Sequence, residues 1–315
     1  MQKKSVFITV AICTFNRSRL LGQTLEQMIQ LNVPNDLNWE LLVINNNSTD
    51  DTNAVIDKYN DSLPIRRIFE KNQGLSYARN RAISEAKGEL IVWTDDDVLV
   101  NENWLSEYCK GMKCHPNTAF FGGPIRPFFE GPPPRWLKNN FARFEGAFAC
   151  RDLSNEEIQL NSRSTFPFGA NMAVRKTAYD DILYNIKLGR IGTGMLSDEE
   201  TEIFEELVKR RGQKGVWLPR AQVEHFIPFN RMTIQYLKNY FRGYGQTLVR
   251  ANDKASEMVP KIFGVPRWTI RYWAMLYMKW ILTVIIRHPK KTENWISLQI
   301  QTGKMLEYRT LAKVQ

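Results

Sequence analysis

The 315-residue sequence lacks an apolar run long enough to cross a membrane. Its longest candidate, Tyr272–Ile286, is interrupted by Lys279 and falls short of the roughly 20 residues that a transmembrane helix needs. The start, MQKKSVFITVAICTFNR, has only a short apolar stretch after its basic residues and no small-residue cleavage site. This pattern is typical of a buried first strand and argues against a signal peptide. We therefore expect a chain without membrane spans whose active part lies in the cytoplasm.

Cysteine frameworks and glycine-rich nucleotide loops are also missing. The four cysteines form no CxxC pair, and Cys109, Cys114 and His115 have no second ligand pair at the spacing of a zinc site. Neither GxGxxG nor GxxxxGK[ST] occurs, which argues against a Rossmann dinucleotide site and against a P-loop. The composition, 43% hydrophobic and 24% charged, is that of a globular protein and excludes wholesale disorder.

The positive charge is confined to the C-terminal part of the chain. The formal net charge is +10, yet residues 1–231 contain as many acidic as basic side chains, 29 of each. Residues 232–315 carry the whole excess, with 14 basic and 4 acidic side chains. Such asymmetry indicates an anionic surface as partner, either a membrane or a nucleic acid.

Short apolar runs alternate with helical patterns in the first hundred residues. The runs span residues 6–13, 41–44, 65–69 and 90–93. Strands alternating with helices of about 10–15 residues indicate βαβ units and a mostly parallel, doubly wound (Rossmann-like) α/β sheet. A polar cluster follows each run: TFNR, NNNSTDD, KNQG and TDDDV. Because ligands bind at the carboxyl edge of such sheets, we predict a site for a polar ligand there.

Three consecutive carboxylates, Asp95, Asp96 and Asp97, end the fourth run. Like charges so close together are unfavourable unless a cation or hydrogen bonds offset them. A hard divalent cation, Mg²⁺ or Mn²⁺, takes oxygen ligands and often bridges to substrate phosphates. A solvated acidic loop is the alternative, but the three other polar loops at the same edge favour a metal site.

Seven motifs in order resemble the family-2 glycosyltransferases, which use nucleotide-sugar donors and have the A-type glycosyltransferase fold. They are ICTFNR, INNNSTDDT, NQGLSYARNRAI, GELIVWTDDDVLVNENWL, FGANMAVRK, LSDEETEI and LPRAQVEH, and they cover about residues 5–230. The resemblance implies a catalytic domain over residues 1–230, with a nucleotide-binding half (1–100) and an acceptor-binding half (101–230). Residues 231–315 are expected to form a separate basic, aromatic-rich helical region.

The resemblance also implies a metal and cofactor site. Asp95 and Asp97 correspond to the two acids of the family's DxD element, with Asp96 between them in the same cofactor-binding loop. Asp97 is expected to ligate the metal on the donor diphosphate, and Asp95 to contact the ribose or the metal shell. His225, in the pattern P-x-A-x-V-x-H, is a candidate third metal ligand.

The nucleotide pocket is implied in the same way. Asn46 corresponds to the base-reading position, where the family often has an aspartate in a pair that is Asn45 and Asn46 here. Arg79 and the backbone around Thr14 complete the pocket. Arg17 either contacts the base or phosphates or is a surface residue at the start of a helix.

On the acceptor side, Glu199 and Glu200 correspond to the family's Glu-Asp pair, with Glu200 in place of the usual catalytic aspartate. A carboxylate there can accept the proton of the acceptor hydroxyl as its oxygen attacks the anomeric carbon. Without the resemblance, acidic residues at a helix start are explained by the helix dipole alone. Gly169 and Asn171 correspond to the loop lining the sugar-acceptor cleft.

The C-terminal region combines Trp, Tyr and basic residues around its apolar stretch, which is the composition of a helix at a membrane interface. An ordinary core helix and a nucleic-acid surface are the alternatives. We favour an anionic membrane because acceptors of such enzymes are often lipid-linked, and we do not expect nucleic acid as a partner. Peripheral association with the cytoplasmic face of the membrane follows.

The sequence therefore predicts an inverting glycosyltransferase of the hexosyltransferase type. It would use a nucleotide-sugar, a divalent Mn²⁺ or Mg²⁺ and a saccharide or lipid-linked acceptor, in cell-surface or exopolysaccharide synthesis. A nucleotidyltransferase would want a glycine-rich triphosphate loop, which CTFNRSRL lacks. The alternative from another class is a noncatalytic membrane- or nucleic-acid-binding protein with a degenerate nucleotide pocket.

Overall fold

A computed structural model describes residues 6–190, 199–251 and 259–314. Within these ranges the chain forms two compact units. The first comprises residues 6–132, 148–186 and 199–228, and the second comprises the remaining described residues. Residues 196–198 of the LSDEETEI motif lie outside the described part of the chain.

The strands, in chain order, are β1 (Val6–Thr14), β2 (Leu37–Asn45), β3 (Ile65–Phe69), β4 (Leu90–Asp95), β5 (Val98–Val100), β6 (Phe120–Gly122), β7 (Ile125–Phe129), β8 (Gln159–Leu160), β9 (Asn171–Arg175), β10 (Gly215–Trp217), β11 (Val223–Ile227), β12 (Lys261–Ile262) and β13 (Val265–Pro266). The helices are α1 (Ser18–Met28), α2 (Thr52–Asp57), α3 (Leu75–Glu85), α4 (Trp104–Cys114), α5 (Arg135–Lys138), α6 (Phe141–Phe144), α7 (Glu199–Glu205), α8 (Ile234–Ala251), α9 (Arg267–Ile285) and α10 (Lys291–Val314).

An eight-stranded sheet in the order β3-β2-β1-β4-β9-β6-β10-β8 is the centre of the first unit. Strands β1 to β4 are mutually parallel where they pair, and β9 and β8 run antiparallel to their neighbours. A smaller sheet has the order β5-β11-β7. The predicted α/β class with a mostly parallel, doubly wound sheet is confirmed, and its parallel part comprises β1 to β4.

The two faces of the sheet bury separate apolar cores because its β-branched strands are covered by helices on both sides. On one face, β1 packs with Leu21, Leu25 and Met28 of α1. On the other face, the core includes Ala78 and Ala82 of α3. Because β1, β2, β3 and β4 are parallel, the segments that follow them lie at one edge of the sheet, where the polar clusters were predicted to meet.

Two details differ from the sequence prediction. Strand β2 begins at Leu37, four residues earlier than the apolar run suggested, because its register with β1 extends along the whole strand. The proline-rich segment 121–136 was predicted to be an exposed loop, but it contains the end of β6 and all of β7. Strand β7 tolerates Pro127 because it lies at the edge of the smaller sheet, where one side of the strand needs no partner.

In the second unit, α8, α9 and α10 pack together and a short hairpin, β12–β13, precedes α9. Gly245 of α8 and Gly303 of α10 allow close backbone contact. A Cβ on Gly303 would lie 1.9 Å from the carbonyl oxygen of Arg242, and one on Gly245 would lie 2.0 Å from that of Ile300. None of the helices in the described ranges combines the length and the apolar character needed to cross a membrane.

Candidate functional site

The neighbouring ends of β1 and β4 are the starting point of the site. Strand β1 pairs with β2 on one side and β4 on the other, which makes the β1–β4 boundary the point where the strand order reverses. Ligands bind at such points in open α/β sheets. Register places Cys13 beside Asp95. One residue further, Thr14 donates a 2.7 Å hydrogen bond from Oγ1 to Oδ2 of Asp96.

Strand pairing also brings His225 to the aspartates, 128 positions away in sequence. Strand β5 begins directly after Asp97 and pairs antiparallel with β11, so that Val98 lies opposite His225. The Nε2 atom of His225 is 3.2 Å from Oδ1 of Asp97. Asp95, Asp97 and His225 each offer one ligand atom, and these atoms all lie within 4.8 Å of one another.

This donor set fits a divalent cation. Both imidazole and carboxylate are common metal ligands, and two carboxylates favour hard ions such as Mg²⁺ and Mn²⁺. The Nδ1 atom of His225 is buried and has no hydrogen-bond partner among the described residues, which is costly for a polar group in the interior. Burial, reinforced by the charge of Asp97, raises the pKa of Asp95. A cation bound to the Asp95 and Asp97 carboxylates would favour their ionised forms and so offset the cost of burying them side by side.

Arg17 supplies positive charge to the same cluster. Its Nη1 atom lies 2.8 Å from Oδ1 of Asp96 and 2.8 Å from Oδ2 of Asp97. Burial raises the pKa of Asp96 to about 6, although Arg17 and the Thr14 hydrogen bond act in the opposite direction. Sequence reasoning left the role of Arg17 open. Its role could have been inferred because three adjacent carboxylates need a positive counter-charge, and the TFNR loop beside them contains an arginine.

A second ionic group is built around Arg79 of α3. Its Nη1 donates to Oε1 of Glu199 and its Nη2 to Oε1 of Glu200, both at 2.9 Å. The guanidinium is buried and lies over the rings of Trp93 and Tyr184, with centroid distances of 5.9 and 5.2 Å. The structure thus pairs Arg79 with the two acids that were predicted to lie on the acceptor side. Its predicted contact with a nucleotide remains a prediction.

The Arg79 contact determines the charge state of Glu200. Burial by itself would raise the pKa of this carboxyl, but the charge and hydrogen bond of Arg79 and the backbone N–H of Gly169 outweigh it, and the pKa is lowered. The Gly169 N–H donates to the same Oε1 at 3.1 Å. Glu200 is therefore held in one position as an ionised carboxylate, which is the state that can accept a proton.

Gly169 is required here by space. A Cβ at this position would lie 2.0 Å from Nη2 of Arg79 and 2.3 Å from Oε1 of Glu200. Real Cβ atoms essentially never approach other atoms so closely, and both contacts are to the ends of the paired side chains. The sequence prediction placed Gly169 on the acceptor side, and the structure places it against Glu200.

Two predicted amides have their hydrogen-bonding groups engaged within the protein. The Asn46 side chain donates to the carbonyls of Glu70 and Asn72 and accepts from the N–H of Gly74, which fixes the loop leading into α3. Reading of a base by Asn46 remains a prediction.

Asn171 is wholly buried. Its Oδ1 accepts from Trp104 and Tyr108, and its Nδ2 donates to the carbonyls of Pro124 and Ala221. These four bonds use the whole amide to join β9 to its surroundings. A side chain in this position reaches no acceptor, so we do not carry Asn171 into the proposed site.

Sequence comparisons place the chain among known transferases. The model of the family described as "Glycosyl transferase family 2" matches residues 9–183, more than half of the chain. The chain is 24% identical over 250 residues to the succinoglycan biosynthesis protein ExoM of Rhizobium meliloti (strain 1021), covering 78% of this chain and 75% of that protein. It is 20% identical over 249 residues to the glucosyl-dolichyl phosphate glucuronosyltransferase of Haloferax volcanii, covering 77% of each.

A solved structure shares the fold. The mannosyltransferase PcManGT from Pyrobaculum calidifontis, in complex with GDP-Man and Mn²⁺, has a TM-score of 0.59 and is 16% identical. The match covers 96% of this chain and 86% of that one. At this identity the likeness concerns the fold, and it confirms the A-type architecture that the sequence motifs implied.

Proposed function

Because the chain belongs to glycosyl transferase family 2, we propose that it transfers a sugar from a nucleotide-sugar donor to a hydroxyl of a saccharide or lipid-linked acceptor, with inversion at the anomeric carbon. The observation that carries the proposal is the convergence of Asp95, Asp97 and His225 at the β1–β4 boundary. An Asp-Asp-His set at this edge of the sheet is suited to a diphosphate-bound metal.

Asp95, Asp97 and His225 would hold the divalent ion, Mn²⁺ or Mg²⁺. When bound, such an ion neutralises negative charge that develops on the departing diphosphate. Thr14 and Arg17 keep the neighbouring Asp96 in place through its two carboxylate oxygens. These hydrogen bonds would restrain the loop after β4, as partners behind a metal or ribose site do.

The nucleotide would lie over the strand ends of residues 1–100, the proposed nucleotide-binding half. Asn46 acts there by holding the loop 70–74 that begins α3. The backbone around Thr14 and the side chain of Asp95 face the same boundary between β1 and β4. Residues 101–230 form the proposed acceptor-binding half, to which Glu199 and Glu200 belong.

Glu200 would be the general base. Its carboxylate accepts the proton of the acceptor hydroxyl while that oxygen forms a bond to the anomeric carbon. The bond from the anomeric carbon to the diphosphate oxygen breaks in the same step, and the electron pair leaves with the nucleoside diphosphate. A single displacement from the opposite face inverts the anomeric configuration. The fixed, ionised state of Glu200 supports this role.

The setting we propose is cell-surface or exopolysaccharide synthesis at the cytoplasmic face of a membrane. A relative acting in succinoglycan biosynthesis and a relative acting on a dolichyl phosphate substrate support saccharide and lipid-linked acceptors as the class. The basic region 231–315 would then be the peripheral membrane-associating part.

The test is a turnover assay with the full-length protein, Mn²⁺ and a panel of nucleotide-sugars with different bases. We expect release of one nucleoside diphosphate, faster with a lipid-linked or saccharide acceptor, and a product of inverted anomeric configuration. No release with any donor, together with binding of vesicles or nucleic acid, would instead support a noncatalytic binding protein.

A further inference from the structure

The apolar residues of α9 are turned outward. Trp268, Met275 and Leu282 recur every seven residues, which is two helical turns, and all three are exposed. Met278 and Ile285 widen this stripe and are also exposed, Met278 at 65% and Ile285 at 72%. A soluble helix directs its apolar stripe toward the core, so this arrangement is the reverse of the usual one.

The opposite stripe of α9 is buried and partly polar. The residues that directly follow the three exposed ones are buried: Thr269, Leu276 and Thr283. Gln301 of α10 donates to the carbonyl of Thr269, and Asn294 donates to the hydroxyl of Thr283. These bonds fix the rotation of α9, so its exposed stripe is a consequence of the packing.

The β12–β13 hairpin adds a second apolar projection next to the start of α9. Its two-residue loop is Phe263-Gly264, with φ values of 49° and 79°. Turns with both φ angles positive favour Asn, Asp or Gly, yet this one presents a phenylalanine that is 91% exposed. Ile262, beside it on β12, is exposed as well.

Charge of one sign surrounds these apolar groups. Residues 259–292 contain no acidic side chain. Seven basic side chains lie in the same segment and all are exposed: Lys261, Arg267, Arg271, Lys279, Arg287, Lys290 and Lys291. None of the seven forms an ion pair within the described part of the chain.

From this combination we infer that the exposed stripe of α9 and the Phe263 hairpin tip form a membrane-docking surface for an anionic lipid leaflet. The 19-residue helix would lie in the plane of the interface over about 28 Å. Its aliphatic and aromatic side chains would enter the boundary between headgroups and acyl chains, while the basic side chains extend to anionic phosphates.

Other occupants fit less well. A second copy in a two-fold dimer would oppose the same seven basic side chains to themselves, with no acidic residue of the segment to pair with them. Nucleic acid would match the charge, but Met275, Met278 and Leu282 offer aliphatic surface that neither phosphates nor base edges contact well. A lipid leaflet alone matches both the apolar stripe and the charge.

This docking surface would bring the enzyme to a lipid-linked acceptor. The link to the acceptor rests on the proposed function, whereas the membrane docking itself does not. Each lipid-facing residue lies in the second structural unit and none belongs to the proposed catalytic machinery. Membrane binding and catalysis can therefore fail separately.

The experiment is flotation of the full-length protein with phosphatidylcholine vesicles, with and without about one third phosphatidylglycerol. The variants are Phe263→Asp and Met278→Asp. The matched control is Leu183→Asp, because Leu183 lies in the first unit and is 65% exposed, the same as Met278. Thermal unfolding serves to check that each variant is folded, which we expect because the substituted positions are exposed.

We expect binding to the anionic vesicles, at least about tenfold weaker binding to neutral ones, and at least about tenfold weaker anionic binding in either variant. Leu183→Asp should bind as the wild type does, and Mn²⁺-dependent nucleotide binding should be unchanged in all three. No flotation of the wild type, or equal effects of Met278→Asp and Leu183→Asp, would overturn the inference. Loss of self-association or of RNA binding in the variants, with vesicle binding intact, would overturn it as well.

Discussion

Arg79 holds Glu200 through a 2.9 Å hydrogen bond between Nη2 and Oε1, although the two residues are 121 positions apart. The same guanidinium binds Glu199 through Nη1, so that one cation serves two adjacent acids. One buried arginine thus gives the proposed general base both its position and its charge. A base fixed in this way need not reorganise when the acceptor hydroxyl arrives.

Replacing Glu200 by Gln should abolish most of the turnover. The amide preserves the shape of the side chain but cannot accept the hydroxyl proton, and general-base catalysis contributes about 10²–10⁴-fold. We expect kcat to fall by about this factor while the Kd of the nucleotide stays the same. Steady-state kinetics and nucleotide titration measure the two effects. Glu205→Gln, a change on the same helix, should leave kcat near the wild-type value, and an equal loss in both variants would contradict the role of Glu200.

The pH dependence should follow the Arg79 contact. Because the pKa of Glu200 is lowered, the carboxylate stays ionised at lower pH. With saturating Mn²⁺ and donor, which keep the aspartates of the metal site ionised, the acidic fall in kcat should therefore lie below the ordinary range of a glutamate. In Arg79→Gln, burial is no longer opposed by the arginine charge, so the pKa rises and the acidic limb moves to higher pH. Arg79→Lys keeps a charge and should shift the limb less. A limb that stays in place in Arg79→Gln would mean that another group governs it.

Gly169→Ala should break the Arg79–Glu200 contact. The added Cβ would overlap both side chains, and one of them must move. We expect a lower unfolding midpoint and a loss of activity of at least about tenfold, since a small misplacement of a catalytic group is costly. The control is Gly22→Ala in α1, where the new Cβ meets Val55 at an ordinary 3.5 Å. That change should stabilise the protein by up to about 1 kcal/mol.

Arg17→Gln should make the metal-free protein less stable. It leaves Asp96 and Asp97 without their guanidinium, at a cost of about 1–3 kcal/mol for hydrogen bonds to charged groups. Mn²⁺ should raise the midpoint of this variant by more than that of the wild type, because the ion now relieves more repulsion. Arg67→Gln breaks an exposed pair with Asp57 and should have little effect. Equal midpoints for the two variants would show that Arg17 does not stabilise the cluster.

The first four strands and their polar loops could be predicted from the sequence because both signals are local. An apolar β-branched run predicts a strand, and the parallel arrangement then brings the loop ends together. The Asp95–Asp97 site follows from this logic without tertiary information. The proximity of His225 to these aspartates does not follow from local signals. It depends on the pairing of β5 with β11, and no local sequence pattern indicates which distant strands pair.

Polar side chains were harder to interpret than apolar ones. Asn46 and Asn171 are polar residues of the type that often binds ligands. In the structure, however, their side-chain amides form hydrogen bonds with groups of the protein itself. Arg79 was expected near the nucleotide, which remains a prediction, and the structure shows in addition that it pairs with Glu199 and Glu200. A hydrogen-bonding side chain shows in sequence that a partner is needed, whereas the identity of the partner depends on the tertiary fold.

The central claim is that Asp95, Asp97 and His225 hold a divalent ion on which nucleotide binding depends. Its most direct test is the thermal unfolding midpoint of the wild type, Asp97→Asn and the exposed control Asp61→Asn, with each nucleoside diphosphate, with and without Mn²⁺. A ligand at 100 times its Kd stabilises the folded state by about 2.7 kcal/mol. We predict a rise with one nucleoside diphosphate that requires Mn²⁺, persists in Asp61→Asn and disappears in Asp97→Asn. A rise of the same size without Mn²⁺, or one retained in Asp97→Asn, would contradict the account.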